Sequence, residues 1–197
     1  VPRPRVTESE AVLEAAGRRL ASHGIAGTTV DDVAAEAGVS RATVYRYIGG
    51  KNEIVPAVIG RETQGVLDRV ATVLTASSTS AAAVADAVST ALAAIGENPV
   101  LARLTSTDLI ETLPFITAEA ASLVDAAVST LAPAMRAAPA LTVDDRAVEA
   151  ALEEATRFVL LHLTTPRCDG SRLDPSDAGK RAAMLITPML EMASERG

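Results

Sequence analysis

The sequence predicts an all-α protein, and three observations carry that expectation. Apolar residues recur at three- and four-residue spacing through most of the 197 residues. β-branched residues nowhere alternate cleanly with polar ones over the length of a strand. The periodic stretches open on Ser, Thr or Asp and close on Gly or Pro, the residues that start and stop helices.

The first helix is expected over residues 7–23, with Val12, Leu13, Ala16 and Leu20 on one face and Gly24 as its stop. Val30, Val33, Ala34 and Ala37 repeat the spacing over a short second helix. Thr29 opens it, with Asp32 three residues later as a variant capping box, and Gly38 ends it. Ser40 caps a third short helix running to about Ile48, with Val44 and Ile48 facing inward and Gly49-Gly50 as the stop. A long fourth helix follows over about 51–74, with Pro56 in its second turn. Further helices are expected over 80–95, 99–105, 107–113 and 117–137, with Gly96, Pro99 and Pro114 as punctuation and Pro133 as a break. Two more close the chain: one from Val143 after a Thr142 cap, and one from Asp174-Pro175. The chain thus divides into a head, 1–50, and a helical remainder, 51–197.

Charge divides the same way. The net charge is -7, yet residues 1–51 hold seven Arg/Lys against six Asp/Glu, so the acidic excess belongs to the remainder. A near-neutral segment can bind a polyanion if its cations share a face, because phosphate contacts depend on local charge. Arg3 and Arg5 flank prolines ahead of the first helix as a basic arm, and two of the four aromatics, Tyr45 and Tyr47, stand beside Arg41, Arg46 and Lys51.

Other classes find little support. Cys168 is the lone cysteine, which excludes an internal disulfide, and no Cys/His cluster has metal-ligand spacing. No G-x-S-x-G and no phosphate loop is present, and His23 and His162 are the two histidines, so neither an enzyme nor a cofactor is expected. No run approaches the roughly 18 apolar residues of a membrane span. The start, VPRPRVTESE, lacks the apolar stretch of a signal peptide, and a cytoplasmic location without membrane contact is the expectation.

A helix-turn-helix needs two short helices packed across a tight turn, with a residue that tolerates positive φ, an apolar plug and a cap for the second helix. Ala37-Gly38-Val39-Ser40 supplies these in order. With Val44 and Ile48 turned inward, Arg41, Ala42, Thr43, Tyr45 and Arg46 fall on exposed arcs. The stretch TTVDDVAAEAGVSRATVYRYIGGKNEIV resembles the DNA-binding region of the TetR family of bacterial repressors. The resemblance covers about the first 60 residues. It implies a three-helix DNA-binding domain followed by a helical ligand-binding and dimerisation domain. By position it implies that Arg41, Ala42 and Thr43 approach bases, while Thr28 or Thr29, Tyr45, Tyr47 and Lys51 hold phosphates. Ile48 stands where the family often has phenylalanine, and Tyr47 where histidine is common.

In the remainder, a small-molecule pocket would draw on Arg103, Phe115, Met135, Phe158 and His162, and the aliphatic composition favours a small hydrophobic ligand. Small residues line the last two helices, so Ala151, Ala155, Val159, Ala182, Leu185 and Met189 are the expected homodimer interface. The expected function is a dimeric repressor of a double-stranded DNA operator, released by that ligand. The competing expectation is a helical regulator or interaction protein controlled by a protein partner, with no small-molecule inducer.

Overall fold

The structure, a computed structural model, describes residues 7–138 and 144–194. The protein is all-α: ten helices and no strand are found among the described residues. They are α1 (Glu8–His23), α2 (Val30–Ala37), α3 (Arg41–Tyr47), α4 (Lys51–Ala76), α5 (Ser80–Glu97), α6 (Pro99–Leu104), α7 (Leu109–Ala118), α8 (Ala120–Ala137), α9 (Asp145–Thr164) and α10 (Pro175–Ser194).

Side-chain caps set the first boundaries, and the capping box read from the sequence, Thr29 with Asp32, is among them. Thr7 and Thr29 both form reciprocal capping boxes, with Glu10 and Asp32, so two N–H groups at the start of each helix find partners. Asn98 accepts from Val100 N and Leu101 N at 2.9 and 3.0 Å, which starts α6 with proline at its first position.

Proline behaves differently from expectation. Pro114 does not end a helix and Pro133 does not break one; both sit inside continuous helices, as do Pro56 and Pro188. Each proline strips a partner from the carbonyl four residues back. Those residues, Asn52, Ile110, Ser129 and Met184, are all exposed, on the solvent side of their helices. The break falls instead at Glu119, which caps α8 without a side-chain hydrogen bond. The expected helix start at Thr142-Val143 lies outside the described residues, as does the arm bearing Arg3 and Arg5.

The chain forms two compact units. The first contains Val1–Thr63 together with Asn98–Ile116; the second contains Gln64–Glu97 and Thr117–Gly197. The core of the first is built from Val12, Ala16 and Leu20 of α1, Val30 and Val33 of α2, Val44 of α3, and Ile54 and Val58 of α4. Val100 and Leu104 of α6 complete it. A polar seam ties the same elements: Asp108 Oδ2 accepts from Ile25 N at 3.2 Å and from Arg103 Nε at 3.0 Å. In the second unit α10 lies along α5, and α9 packs on α5, α8 and α10. Gly179 permits the first of these contacts, since a side chain there would run into the Ala85 carbonyl. Arg136 bridges α8 to α9 through Asp145 at 2.7 Å and Glu149 at 3.1 Å.

Candidate nucleic-acid interface

The geometry of the α2–turn–α3 unit follows from four residues. Gly38 adopts φ 67°, ψ 30°, a left-handed conformation that closes α2. Its N–H donates to Ala35 O at 3.3 Å, and that of Val39 to Ala34 O at 3.0 Å. Val39 packs on the head core, and Ser40 Oγ accepts from Thr43 N at 3.2 Å to start α3. Val44, fully buried, anchors α3 from the other side. That anchoring leaves Arg41, Ala42, Tyr45, Arg46 and Tyr47 exposed and Thr43 half-buried. Tyr45 and Tyr47, which could have been core aromatics, are 53% and 40% exposed.

The exposed cations of α3 are not idle. Arg41 Nε pairs with Asp31 Oδ1 at 2.8 Å. Arg46 Nη2 pairs with Glu8 Oε2 at 3.1 Å, and the Tyr47 hydroxyl donates to the same oxygen at 2.8 Å. The Arg46 guanidinium also stands 4.6 Å from the centre of the Tyr47 ring, a cation–π contact. Glu8 and Asp31 escape a reading of the sequence: α1 and α3 lie far apart along the chain, and only their packing brings the groups together.

Of the paired threonines, Thr28 is buried and donates to Gly24 O at 2.7 Å, so Thr29 is the one left at the surface. Thr29 donates its hydroxyl to Asp32 Oδ2 at 2.6 Å and accepts from Asp32 N at 3.2 Å. The hydroxyl, followed by the Thr29 N–H and the nearby Arg19 and His23, holds the Asp32 carboxyl below its ordinary pKa against a smaller opposing effect of burial. Lys51 is exposed in the first turn of α4. Gly49 takes φ 109°, and the Gly50 N–H donates to Glu53 Oε2 at 2.8 Å, which fixes the start of α4. A side chain at position 50 would meet the Tyr45 ring at 3.5 Å. That is ordinary van der Waals contact, so it is the positive φ of Gly49 that requires glycine in this turn.

Comparison with known proteins agrees with this layout. A family model described as "Bacterial regulatory proteins, tetR family" matches residues 12–58, and one described as "Bacterial Tetracyclin repressor, C-terminal domain" matches residues 79–188. The chain belongs to the TetR family. The "HTH-type transcriptional repressor SCO4008" of Streptomyces coelicolor is 37% identical over 59 residues, 30% of each chain. The "Putative mycofactocin biosynthesis transcriptional regulator MftR" of Mycobacterium tuberculosis is 39% identical over 54 residues, 27% of each. The chain therefore matches less than a third of the length of these curated relatives. Among solved structures, the TetR family repressor AlkX from Dietzia sp., described as implicated in biodegradation of n-alkanes, superposes with a TM-score of 0.78 at 20% identity. That match covers 97% of this chain and 99% of AlkX. FadR of Bacillus halodurans, described as a fatty acid degradation regulator, gives a TM-score of 0.57 at 15% identity over 94% and 96%.

Outside the head, the TetR-family chain distributes its candidate residues unevenly. Arg103 belongs to the polar seam of the first unit, and Phe115 packs on that unit's core. Met135, Phe158 and His162 belong to the second unit. Met135 is fully buried, while the Phe158 and His162 rings stack at 6.4 Å and 14°. His162 Nε2 lies 3.2 Å from Leu173 O. The expected dimer residues also separate. Ala151 and Ala182 are buried, so the close approach they permit lies within this chain. Ala155, Val159 and Met189 are half-buried, and Leu185 is 66% exposed. Met184 and Leu161, 70% and 61% exposed, join Leu185 as outward apolar groups on the last two helices that the small-residue pattern does not flag. Among the described residues no group of acidic, His and Cys side chains could hold a metal, and no single helix is long and apolar enough to cross a membrane.

Proposed function

We propose that the protein is a homodimeric repressor of transcription, in which residues 1–50 read duplex DNA in the cytoplasm and residues 51–197 dimerise and take a small apolar ligand. The observation that carries this reading is α3. Its packing needs are met by Val44, yet it presents two guanidiniums and two phenols outward from a rigid turn. In major-groove docking the N-terminal end of such a helix meets base edges. Arg41 takes guanine acceptors there, and the methyl groups of Ala42 and Thr43 pack on thymine methyls. Thr29, Tyr45, Tyr47 and Lys51 hold phosphates, aided by the positive dipole ends of α2 and α4.

Two copies joined through α9 and α10 would set their recognition helices on half-sites about one turn of DNA apart. The exposed Leu161, Met184 and Leu185 support that interface, since large apolar side chains turned outward on the same two helices favour a contact surface. A ligand releases the operator only if it binds the DNA-incompetent conformer better. Candidate contacts are Met135, Phe158 and His162, with aliphatic surroundings that suit an apolar molecule. The names of AlkX and FadR, tied to n-alkanes and fatty acids, favour the same ligand chemistry.

Fluorescence anisotropy on the DNA upstream of its own gene tests the reading. The Arg41→Ala/Tyr45→Ala variant should bind at least about tenfold more weakly, as expected for loss of a base contact and a phosphate contact. Unchanged binding by that variant would remove the assignment.

A further inference from the structure

We infer that Glu8 is a positioning residue for DNA binding, a carboxylate that occupies Arg46 and Tyr47 in the free protein as a backbone phosphate would, and that DNA must displace. The inference rests on the DNA-binding reading above. One oxygen, Glu8 Oε2, receives both Arg46 Nη2 and the Tyr47 hydroxyl. A guanidinium N–H and a phenolic O–H converging on one anionic oxygen is the donor set that a phosphodiester oxygen takes in a protein–DNA complex.

Glu8 has little architectural work to do. The side chains of Glu8 and Arg46 are 57% and 61% exposed, and ion pairs at that exposure contribute little to folding. The start of α1 is held by the Thr7–Glu10 capping box, and its packing by Val12, Ala16 and Leu20. The other guanidinium of α3 is treated alike, since Asp31 of α2 holds Arg41 at 2.8 Å with both side chains more than 60% exposed. Both α3 cations are thus paired by carboxylates from neighbouring helices. Two of the head's carboxylates, Glu8 and Asp31, therefore lie on its reading face, where each competes with the nucleic acid. Such pairing restrains indiscriminate attraction to polyanions, because a phosphate contact by Arg41, Arg46 or Tyr47 must first break an existing one.

Phosphate contacts are independent of sequence, so a labelled random-sequence DNA duplex serves as the ligand. Glu8→Gln keeps the side-chain shape and leaves the capping box intact, so its thermal midpoint should match that of the wild type. It should bind the duplex about two- to fivefold more tightly, the range expected for releasing an exposed ion pair. The fall in affinity with salt should also steepen by up to about one in log–log slope. In an Arg46→Ala/Tyr47→Phe background the same substitution should have no effect. Unchanged or weaker binding by Glu8→Gln overturns the proposal. So does equal tightening in the double-variant background, which would make Glu8 one repelling charge among several. A wild-type protein that binds neither this duplex nor its upstream DNA would instead overturn the DNA-binding reading, and this inference with it.

Discussion

At the start of α2 a single hydroxyl serves two partners: Thr29 Oγ1 accepts from Asp32 N and donates to Asp32 Oδ2. Replacing it with alanine should lower the stability of the protein by about 1 kcal/mol, measurable by urea unfolding. The same contacts give the head a pH response. Asp32 and Glu10 both have carboxyl pKa values lowered in the folded state, Glu10 chiefly by the Thr7 N–H. A lowered folded value means that stability is present above the unfolded pKa and lost as pH falls through the folded one. Unfolding monitored from neutral pH downward should therefore show the loss beginning at about pH 4, and Thr29→Ala should blunt it. The Thr29–Asp32 pair is legible from order alone, because a capping box acts over three positions. The partners of Arg41 and Arg46 are not. They depend on which carboxylates the packing of α1, α2 and α3 carries to the same face, and no local spacing encodes that.

Helix starts in the head are readable because cap chemistry is local, whereas the interruption in the middle of the chain is misplaced when proline is weighed without its exposure. Pro114 and Pro133 are exposed, as are the residues four positions back, and the helices continue through both prolines. Gly38 illustrates the opposite case. Its positive φ is required and nothing crowds the space beside it, so Gly38→Ala should cost only the conformational penalty, about 1–2 kcal/mol. The seam at Asp108 involves more partners. Asp108→Ala leaves both the Ile25 N–H and the partly buried Arg103 guanidinium without their acceptor, and should cost about 1–3 kcal/mol by denaturant unfolding. A lone cation on an apolar stretch, Arg103 reads from sequence as a ligand contact. Its partner, five residues on, explains its presence structurally.

At the scale of the whole molecule, the expectation of assembly centres on the outward apolar residues of α9 and α10. The double variant Met184→Glu/Leu185→Glu should sediment as a monomer in analytical ultracentrifugation while the wild type sediments as a dimer. Its affinity for a two-half-site duplex should drop with it. The alanine stripes point to these helices but not to their outward side, since Ala151 and Ala182 are consumed by packing inside one chain. Residues Asn98–Ile116 interrupt the second unit in sequence, yet Val100 and Leu104 complete the core beneath α1 and α4. The reading head is therefore not a cassette that ends at residue 50. A chimera that exchanges only the N-terminal segment between relatives would ask the α6 of one parent to fit the α1 of another, and swaps that carry Asn98–Ile116 along should retain stability where shorter grafts lose it.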